Sequence, residues 1–274
     1  MPADSSFAGF ERLWLQSDLS AAETLPLPCG RAALFACGYE AGHNQDALAA
    51  IAVDGTWALV AVADGAGGQA SGGEASSLAV RELLGAVRQS VAAGAPAGAG
   101  IVAGFDAANA AIQKLGVGAA STLAVAELDG SSVRTYHAGD SAVLITGQRG
   151  RIKLQTIAHS PVGYAQEAGV LSEREALHHE ERHLVSNMLG SAEMRIEVGP
   201  PLTLAPHDTL VLASDGLFDN LSLGEIAERV RKGPLEDAAA RLASAALSRM
   251  GDPRPGAPSK PDDLAFVLYR PARA

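Results

Sequence analysis

Four aspartates lie at the ends of apolar segments, next to residues that favour turns. They are Asp46, Asp64, Asp215 and Asp262. Residues 60–65 (VAVADG) and 210–216 (LVLASDG) repeat one arrangement, in which an apolar strand is followed by an acid and a glycine. A single aspartate beside glycine is usually a turn residue. The repetition indicates instead that strand ends converge, and several carboxylates in one place need bound cations to stay ionised.

The ligand chemistry of such a group of acids favours hard cations. Carboxylate oxygens, together with a backbone carbonyl from the turn at Gly65, suit Mg²⁺ or Mn²⁺ better than Zn²⁺. Two such ions close together form a clamp for the hydrolysis of a phosphate ester. Asp140 and Asp219 occupy similar polar breaks between apolar runs. The histidines at positions 178, 179 and 183 fit no metal-site spacing and are expected on a solvated helical face.

The elements that would position these acids follow from hydrophobic patterning. Apolar runs bounded by turn residues predict strands over residues 31–39, 47–53, 57–63, 122–128, 133–137, 142–146, 151–156, 209–214 and 264–269. Helical periodicity predicts helices over residues 74–91, 101–115, 223–231 and 235–250. This order predicts one α+β domain with helices segregated from largely antiparallel sheets. We assign the domain to residues 31–274, with a polar segment at about 160–190 and an N-terminal extension, residues 1–30, of unclear role.

Composition narrows the function classes. The chain has 274 residues, of which 47% are hydrophobic, enough for a sizeable core. The formal charge of −10 argues against nucleic acid or an anionic membrane as the main partner. No apolar run approaches the roughly 20 residues that span a bilayer, and the N-terminal residues lack the apolar core of a signal peptide. We therefore expect a cytoplasmic protein in which Cys29 and Cys37 are reduced, buried thiols.

Short motifs follow one another in order along nearly the whole chain, from about residue 36 to 270. They are NQDA (44–47), VADGAGG (62–68), ASTL (120–123), HAGDS (137–141), HS (159–160), SDGLFD (214–219) and DDL (262–264). Together they resemble the metal-dependent serine/threonine protein phosphatases of type 2C. Two further segments, GVLS (169–172) and NMLG (187–190), are similar to the flap of bacterial members. One motif alone is weak evidence for this family, whereas the ordered set is specific to it.

This resemblance implies a fold and a metal site. The family fold is a pair of antiparallel β-sheets packed face to face with helices outside, a four-layer α-β-β-α sandwich. Carried over by position, Asp64 would bridge two Mn²⁺ or Mg²⁺ ions. Asp46 and the carbonyl of Gly65 would serve one ion. Asp215 and Asp262 would serve the other.

The resemblance also implies a reaction and its partners. Asp140 and Asp219, with Asp215, match the positions that hold a third, weaker ion in some members. The reaction would be the attack of a metal-bridged water on phosphoserine or phosphothreonine, so that the acids act through metal and water. The expected partners are a phosphorylated protein and a serine/threonine kinase. The expected state is a monomer.

Departures from the family pattern concern phosphate binding and proton supply. The family usually carries a phosphate-binding arginine where this chain has Ala41, and loss of that contact would cost about 1.5–3 kcal/mol if nothing replaces it. His43 is the candidate for a replacement contact, and an ordinary structural role is its alternative. Ala66 stands where some members have a histidine, a candidate general acid. Asp263 takes the place of an asparagine, which we interpret as a change in structural support.

Two rival functions follow from these departures and from the glycine-rich turn. The first is a catalytically weak or inactive pseudophosphatase that binds phosphoprotein or metal, favoured by Ala41 and Ala66. The complete set of acids argues against it, because crowded carboxylates without a use only destabilise a fold. The second interprets residues 64–73 as the phosphate-binding loop of a kinase or ATPase. The absence of a P-loop lysine there argues against this function.

Overall fold

Two antiparallel β-sheets form the centre of the protein, and helices cover the outer face of each. The computed structural model describes residues 9–40, 42–53, 55–66, 69–116 and 118–272. Within these residues the strands are β1 (Phe10–Leu15), β2 (Glu23–Leu27), β3 (Gly30–Cys37), β4 (Asp46–Val53), β5 (Trp57–Ala66), β6 (Ala120–Ser121), β7 (Leu123–Asp129), β8 (Ser132–Ala138), β9 (Ala142–Thr146), β10 (Ile152–Gln155), β11 (Glu197–Val198), β12 (Leu202–Thr203), β13 (Thr209–Ala213) and β14 (Leu264–Pro271). The helices are α1 (Gln69–Ala92), α2 (Ala97–Leu115), α3 (Pro161–Glu167), α4 (Glu173–Leu177), α5 (Asp215–Phe218), α6 (Leu223–Val230) and α7 (Leu235–Gly251), with a 3₁₀ helix at Glu180–His183. The expected α-β-β-α sandwich is confirmed.

The strand order explains how residues far apart in sequence come together. The first sheet runs β1-β4-β5-β7-β8-β11, with β12 also paired to β8 and β6 to β5. The second sheet runs β10-β9-β13-β14-β3-β2. The chain therefore crosses between the sheets several times, and two of these crossings run from β3 to β4 and from β8 to β9. Both crossings, residues 38–45 and 139–141, lie beside acids that the sequence singles out.

Both faces of the central strands are buried, which explains their continuous apolar runs. Every residue of β4 is buried. Because successive side chains of a strand point to opposite faces, Leu48 packs between the sheets while Ile51 packs against Leu83 and Phe105 of the first helical layer. On the other side, Phe266 of β14 packs in the layer formed with α6 and α7. None of the helices in the described part of the chain is long and apolar enough to cross a bilayer.

Residues 9–30, whose role was unclear from the sequence, supply an edge strand to each sheet. β1 pairs antiparallel with β4, and β2 pairs antiparallel with β3. The indole N–H of Trp14 donates to Glu23 Oε2 at 3.2 Å and joins the two strands. Cys29 and Cys37 are free thiols as predicted. Cys29 is buried, whereas Cys37 is partly exposed and the prediction of burial is wrong for it.

The polar segment 160–190, which we call the flap, carries α3, α4 and the 3₁₀ helix. Ser160 caps α3 by accepting a hydrogen bond from the Gly163 N–H. Ser172 and Glu175 form a capping box at the start of α4. Capping of this kind satisfies backbone groups that short helices would otherwise leave unpaired. The flap is thus an ordered cover of short helices rather than an extended loop.

Candidate metal centre

The four predicted strand-end acids come together where the two sheets meet. Asp46 is the first residue of β4 and lies directly opposite Asp64 of β5 in the antiparallel register. Asp215 is the first residue of α5 after β13, and Asp262 lies two residues before β14. The hydroxyl of Ser214 donates to Asp46 Oδ2 at 2.8 Å, so the sheets are in contact at this point. The structure brings these acids together, as the repeated motif predicts.

Two further predicted acids extend this group. Asp140 is buried in the turn by which the chain crosses from β8 to β9. Asp219 ends α5, one turn after Asp215. The charges of both act on their neighbours across the site. We call the six acids the acidic cluster: Asp46, Asp64, Asp140, Asp215, Asp219 and Asp262.

Burial and mutual repulsion raise the pKa values of the acidic cluster. Burial is the larger cause for Asp46 and Asp64, whose pKa values lie well above their ordinary range, and neighbouring carboxylates raise them further. Burial and then the charge of Asp215 raise the pKa of Asp140 to about 8 and that of Asp219 to about 7. The same two causes raise the pKa of Asp262 to about 6. Full ionisation of the cluster near neutral pH therefore requires bound positive charge.

Lys260 brings positive charge to the cluster from the loop before β14. Its Nζ lies 3.1 Å from Asp219 Oδ2 and 3.0 Å from Asp262 Oδ2. It also pairs with Asp215. Burial by itself lowers the pKa of Lys260, but the three carboxylates raise it above its ordinary value. Lys260 was not among the predicted site residues, although a lysine two positions before Asp262 is a visible signal in the sequence.

Unpaired oxygens in the cluster test whether the site fits a divalent ion. Asp46 Oδ1 and Asp215 Oδ1 are buried and accept no hydrogen bond from the described residues. A buried polar atom without a partner costs about 1–3 kcal/mol, and more when it is charged. Asp46 lies in β4 of one sheet, Asp215 lies in the helix that follows β13 of the other sheet, and the charge of Asp215 raises the pKa of Asp46. Since hard cations take carboxylate oxygens as ligands, the residues present fit a divalent ion.

Backbone contacts hold the end of β5 in place. The Asp64 N–H donates to Thr122 Oγ1 at 3.0 Å, and its carbonyl accepts from the Thr122 N–H at 2.8 Å and from Ser121 Oγ at 2.9 Å. A Cβ at Gly65 would lie 2.0 Å from the carbonyl oxygen of Gly72 in α1. Only glycine allows this close approach of helix and strand. Gly65, the predicted carbonyl ligand, is thereby fixed next to Asp64.

A histidine network supports the turn that carries Asp140. His159 Nδ1 accepts hydrogen bonds from the Gly139 N–H at 3.1 Å and from Asn187 Nδ2 at 2.8 Å. Its other nitrogen, Nε2, therefore carries the proton and lies 3.2 Å from Glu197 Oε2. Burial lowers the pKa of His159, which keeps the ring neutral. In the sequence His159 stands out only as part of the motif HS (159–160), which indicates no role for it.

The same network is a second place where metal-ligating side chains meet. One nitrogen each of His137 and His159 and an oxygen of Glu197 lie within 4.8 Å of one another. The two rings stack with centroids 4.4 Å apart, and His137 Nε2 donates to a backbone carbonyl at 2.9 Å. Stacked rings direct their in-plane lone pairs alongside each other rather than at one point. We interpret this group as support for the Asp140 turn.

A cavity of about 100 Å³ lies between the acidic cluster and the flap. Asp140, Asp215 and Asp219 line it from the cluster, and Val162 and Leu177 line it from the flap. The flap histidines bond to the backbone nearby and lie exposed or partly exposed, as expected for a solvated face. Glu173 and Arg182 of the flap also line the cavity, so its flap side is mixed while its cluster side is acidic.

The predicted phosphate contact lies in the turn between β3 and β4. His43 is exposed, and its backbone N–H donates to the Glu40 carbonyl at 3.0 Å. Ala41, where the resemblance leads us to expect an arginine, lies outside the described residues. The turn continues directly into Asn44, whose Oδ1 accepts from the Asp46 N–H at 2.9 Å. His43 is thus three residues from a cluster acid on an open surface.

Comparisons with known proteins identify the family of the chain and agree with its fold. A statistical model of the family described as protein phosphatase 2C matches residues 39–250. A candidate protein phosphatase of type 2C from Streptococcus pyogenes serotype M6 is 30% identical over 208 residues, which cover 69% of this chain and 79% of that protein. The crystal structure of the Mycobacterium tuberculosis serine/threonine phosphatase PstP/Ppp matches with a TM-score of 0.70 at 24% identity, over 89% of this chain and 100% of that one. The catalytic domain of PstP in complex with two manganese ions matches with a TM-score of 0.68 at 24% identity, over 89% and 99%. The structural matches establish the shared fold, and the family match over most of the sequence establishes that the chain belongs to the protein phosphatase 2C family.

Proposed function

We propose that this protein phosphatase hydrolyses phosphoserine and phosphothreonine in proteins with two divalent ions, Mn²⁺ or Mg²⁺, held by four acids. The four acids are Asp46, Asp64, Asp215 and Asp262. The observation that carries the proposal is their convergence from both sheets, with buried oxygens of Asp46 and Asp215 that accept no hydrogen bond from the described residues. Crowded carboxylates weaken a fold unless cations bind them. A metal-dependent reaction accounts for the whole arrangement.

Bound divalent ions would supply an activated water and would stabilise the charge that develops on the phosphoryl group. The chain's own residues hold the ligand oxygens in position. Ser214 orients Asp46 through its 2.8 Å hydrogen bond, and Thr122 fixes the backbone of Asp64. We propose the carbonyl of Gly65 as a further ligand. Pre-positioned ligands of this kind avoid reorganisation during the reaction.

Two acids of the cluster, Asp140 and Asp219, are left for a third, weaker ion, which would share Asp215 with its neighbour. We propose that Asp140 and Asp219, with Asp215, hold it at the side of the cluster that faces the cavity. The His159 network keeps the Asp140 turn in place for this role. A phosphorylated side chain of a protein substrate would approach through the cavity, between the flap and the acids.

Phosphate binding and proton supply differ from the family pattern. We propose His43 as a phosphate contact, because it is exposed three residues before Asp46. Ala66 offers no proton, so the leaving alkoxide must take one from water. The partner kinase, the monomeric state and the cytoplasmic location stay predictions.

The test is hydrolysis of p-nitrophenyl phosphate and of a phosphothreonine peptide by the full chain in EDTA, Mg²⁺ or Mn²⁺. Asp64→Asn keeps the shape of the side chain and removes its charge. Asp106→Asn, on the exposed face of α2, is the matched control. We expect metal-dependent release that is lost in Asp64→Asn and kept in Asp106→Asn.

Two other outcomes would overturn the proposal. Release that persists in EDTA and in Asp64→Asn would mean that the acidic cluster is not the catalytic site. No release from either substrate, with Mn²⁺ still bound, would instead favour a pseudophosphatase that binds phosphoprotein.

A further inference from the structure

The side chain of Lys260 ends among three acids of the cluster. Its Nζ lies 3.0 Å from Asp262 Oδ2 and 3.1 Å from Asp219 Oδ2, and it also pairs with Asp215 Oδ2. Only 21% of the side chain is exposed. Lysines are rarely this enclosed unless they are paired. The ammonium group therefore has the surroundings of a bound cation.

The backbone of Lys260 is held independently of its charge. Its N–H donates to Asn220 Oδ1 at 2.8 Å, and its carbonyl accepts from Asn220 Nδ2 at 2.8 Å. Asn220 is fully buried just after α5, and its Nδ2 also donates to the Gly216 carbonyl at 2.9 Å. The segment that carries Asp215 and Asp219 thus also anchors the lysine. The fold itself delivers the ammonium group to these acids.

The position of Lys260 divides the cluster into two ends. In the described part of the chain its ion pairs include neither Asp46 nor Asp64. Asp215 and Asp262, in contrast, are the acids that we propose for one of the two divalent ions. An ammonium group and a divalent ion repel each other and cannot share the same short contacts. An ion at the Asp262 end must therefore displace the lysine, whereas an ion at the Asp46–Asp64 end need not.

We propose that Lys260 is an internal cation that competes with divalent ions for the carboxylates of Asp215, Asp219 and Asp262, which form one end of the acidic cluster. This inference rests on the proposed metal centre. The ammonium group neutralises these carboxylates when that end holds no ion, and it swings out when an ion binds. The two ends consequently bind divalent ions with unequal affinity. Lys260 sets the lower of the two affinities.

The experiment is a calorimetric titration of the full chain with Mn²⁺. Lys260→Met keeps an unbranched side chain of similar length and the backbone bonds to Asn220, and it removes the charge. Lys153→Met is the matched control, since Lys153 also forms an ion pair, with Asp208 at 2.6 Å, but outside the centre. We expect Lys260→Met to tighten the weaker of the two main Mn²⁺ sites, the one at the Asp262 end, at least tenfold. Lys153→Met should leave both affinities unchanged, and Lys260→Arg, which keeps a positive charge, should leave the weaker site weak.

A second measurement separates competition from a general change in the fold. Melting temperature in EDTA should fall in Lys260→Met, because the carboxylates lose their counter-charge, and saturating Mn²⁺ should remove the difference. If Lys260→Met does not fold in EDTA, removal of Mn²⁺ from the loaded protein by a competing chelator measures the same affinities.

Unchanged affinities at both sites of Lys260→Met would show that the proposal is wrong while the metal centre stands. Absence of any Mn²⁺ binding by the unaltered protein would overturn the metal centre itself. The two failures are therefore distinguishable.

Discussion

The carboxylate of Asp263 accepts a hydrogen bond from the backbone N–H of Gln45 at 2.7 Å, which joins the start of β14 to the crossing before β4. Its other oxygen accepts from the Tyr39 N–H at 2.8 Å. Both ends of the crossing that leads to Asp46 are thus held by the residue after Asp262. Because both donors are N–H groups, a carboxylate satisfies them better than the asparagine of the family pattern.

Asp263→Asn should remove one of these acceptors, and Asp263→Ala should remove both. We expect the free energy of unfolding to fall by about 1 kcal/mol for each hydrogen bond lost. Mn²⁺ affinity should fall in the same order, because the crossing positions Asp46. Denaturant unfolding and calorimetry measure the two effects. Equal stability of all three proteins would contradict this role for Asp263.

Stability without metal should depend on pH. The pKa of Asp140 rises from 3.8 to about 8 on folding, and that of Asp219 rises from 3.8 to about 7. A raised pKa means that the folded state holds the proton more tightly, so this stabilisation is complete below about pH 3.8 and is lost as the pH rises through about 7 and 8. We expect the melting temperature in EDTA to fall as the pH rises from about 4 to about 8, and to become nearly flat in saturating Mn²⁺. A flat curve in EDTA would contradict the prediction.

Arg182 joins the flap to the loop before β14. Its Nη1 donates to the Leu177 carbonyl at 2.9 Å, its Nη2 donates to the Ser259 carbonyl at 3.0 Å, and its Nε lies 3.9 Å from an oxygen of Asp219. Arg182→Ala should loosen the flap, so that limited proteolysis cuts it several-fold faster while the melting temperature changes little. Arg174→Ala, on the exposed surface of the flap, is the control and should be cut at the unaltered rate.

The close approach at Gly65 predicts that a glycine-to-alanine substitution there and one at Gly85 have opposite effects on stability. Gly65→Ala places a methyl group 2.0 Å from a backbone oxygen of Gly72, so strand and helix must separate. We expect a loss of about 1–3 kcal/mol or more in the free energy of unfolding, together with weaker Mn²⁺ binding. Gly85→Ala meets nothing within 4 Å and should stabilise α1 by up to about 1 kcal/mol. Equal stability of the two variants would argue against the packing described.

The central strands could be predicted from the sequence because both of their faces are buried and their apolar runs are continuous. β1 and β2 could not, since they are partly exposed edge strands: β1 shows no clear alternation, and the alternation of β2 covers only five residues. Pro26, inside β2, also argued against a strand there. The direct pairing of Asp46 with Asp64 depends on strand order, which non-local contacts decide.

The acids of the site were predictable because each lies beside an apolar run, before it or after it, and matches a motif. Lys260 was not, because its role depends on an anchor at Asn220 that is 40 residues away in sequence. The His159 network was missed for a similar reason, since Glu197 and Gly139 meet it only in the folded sandwich. Local patterns thus indicate ligands, whereas the groups that position them come from distant parts of the chain.

The acids of the cluster come from both halves of the sandwich, and this has a consequence for the abundance of the protein. An ion held by Asp64 of β5 together with Asp215 and Asp262, which lie next to β13 and β14 of the other sheet, would act as a reversible cross-link between the two halves. Ligand binding to the folded state alone adds about 2.7 kcal/mol of stability when the free ion is at a hundred times its dissociation constant. Scarcity of the ion in a cell would therefore lower the amount of folded protein as well as its turnover, and proteolysis would remove what the missing ion no longer protects.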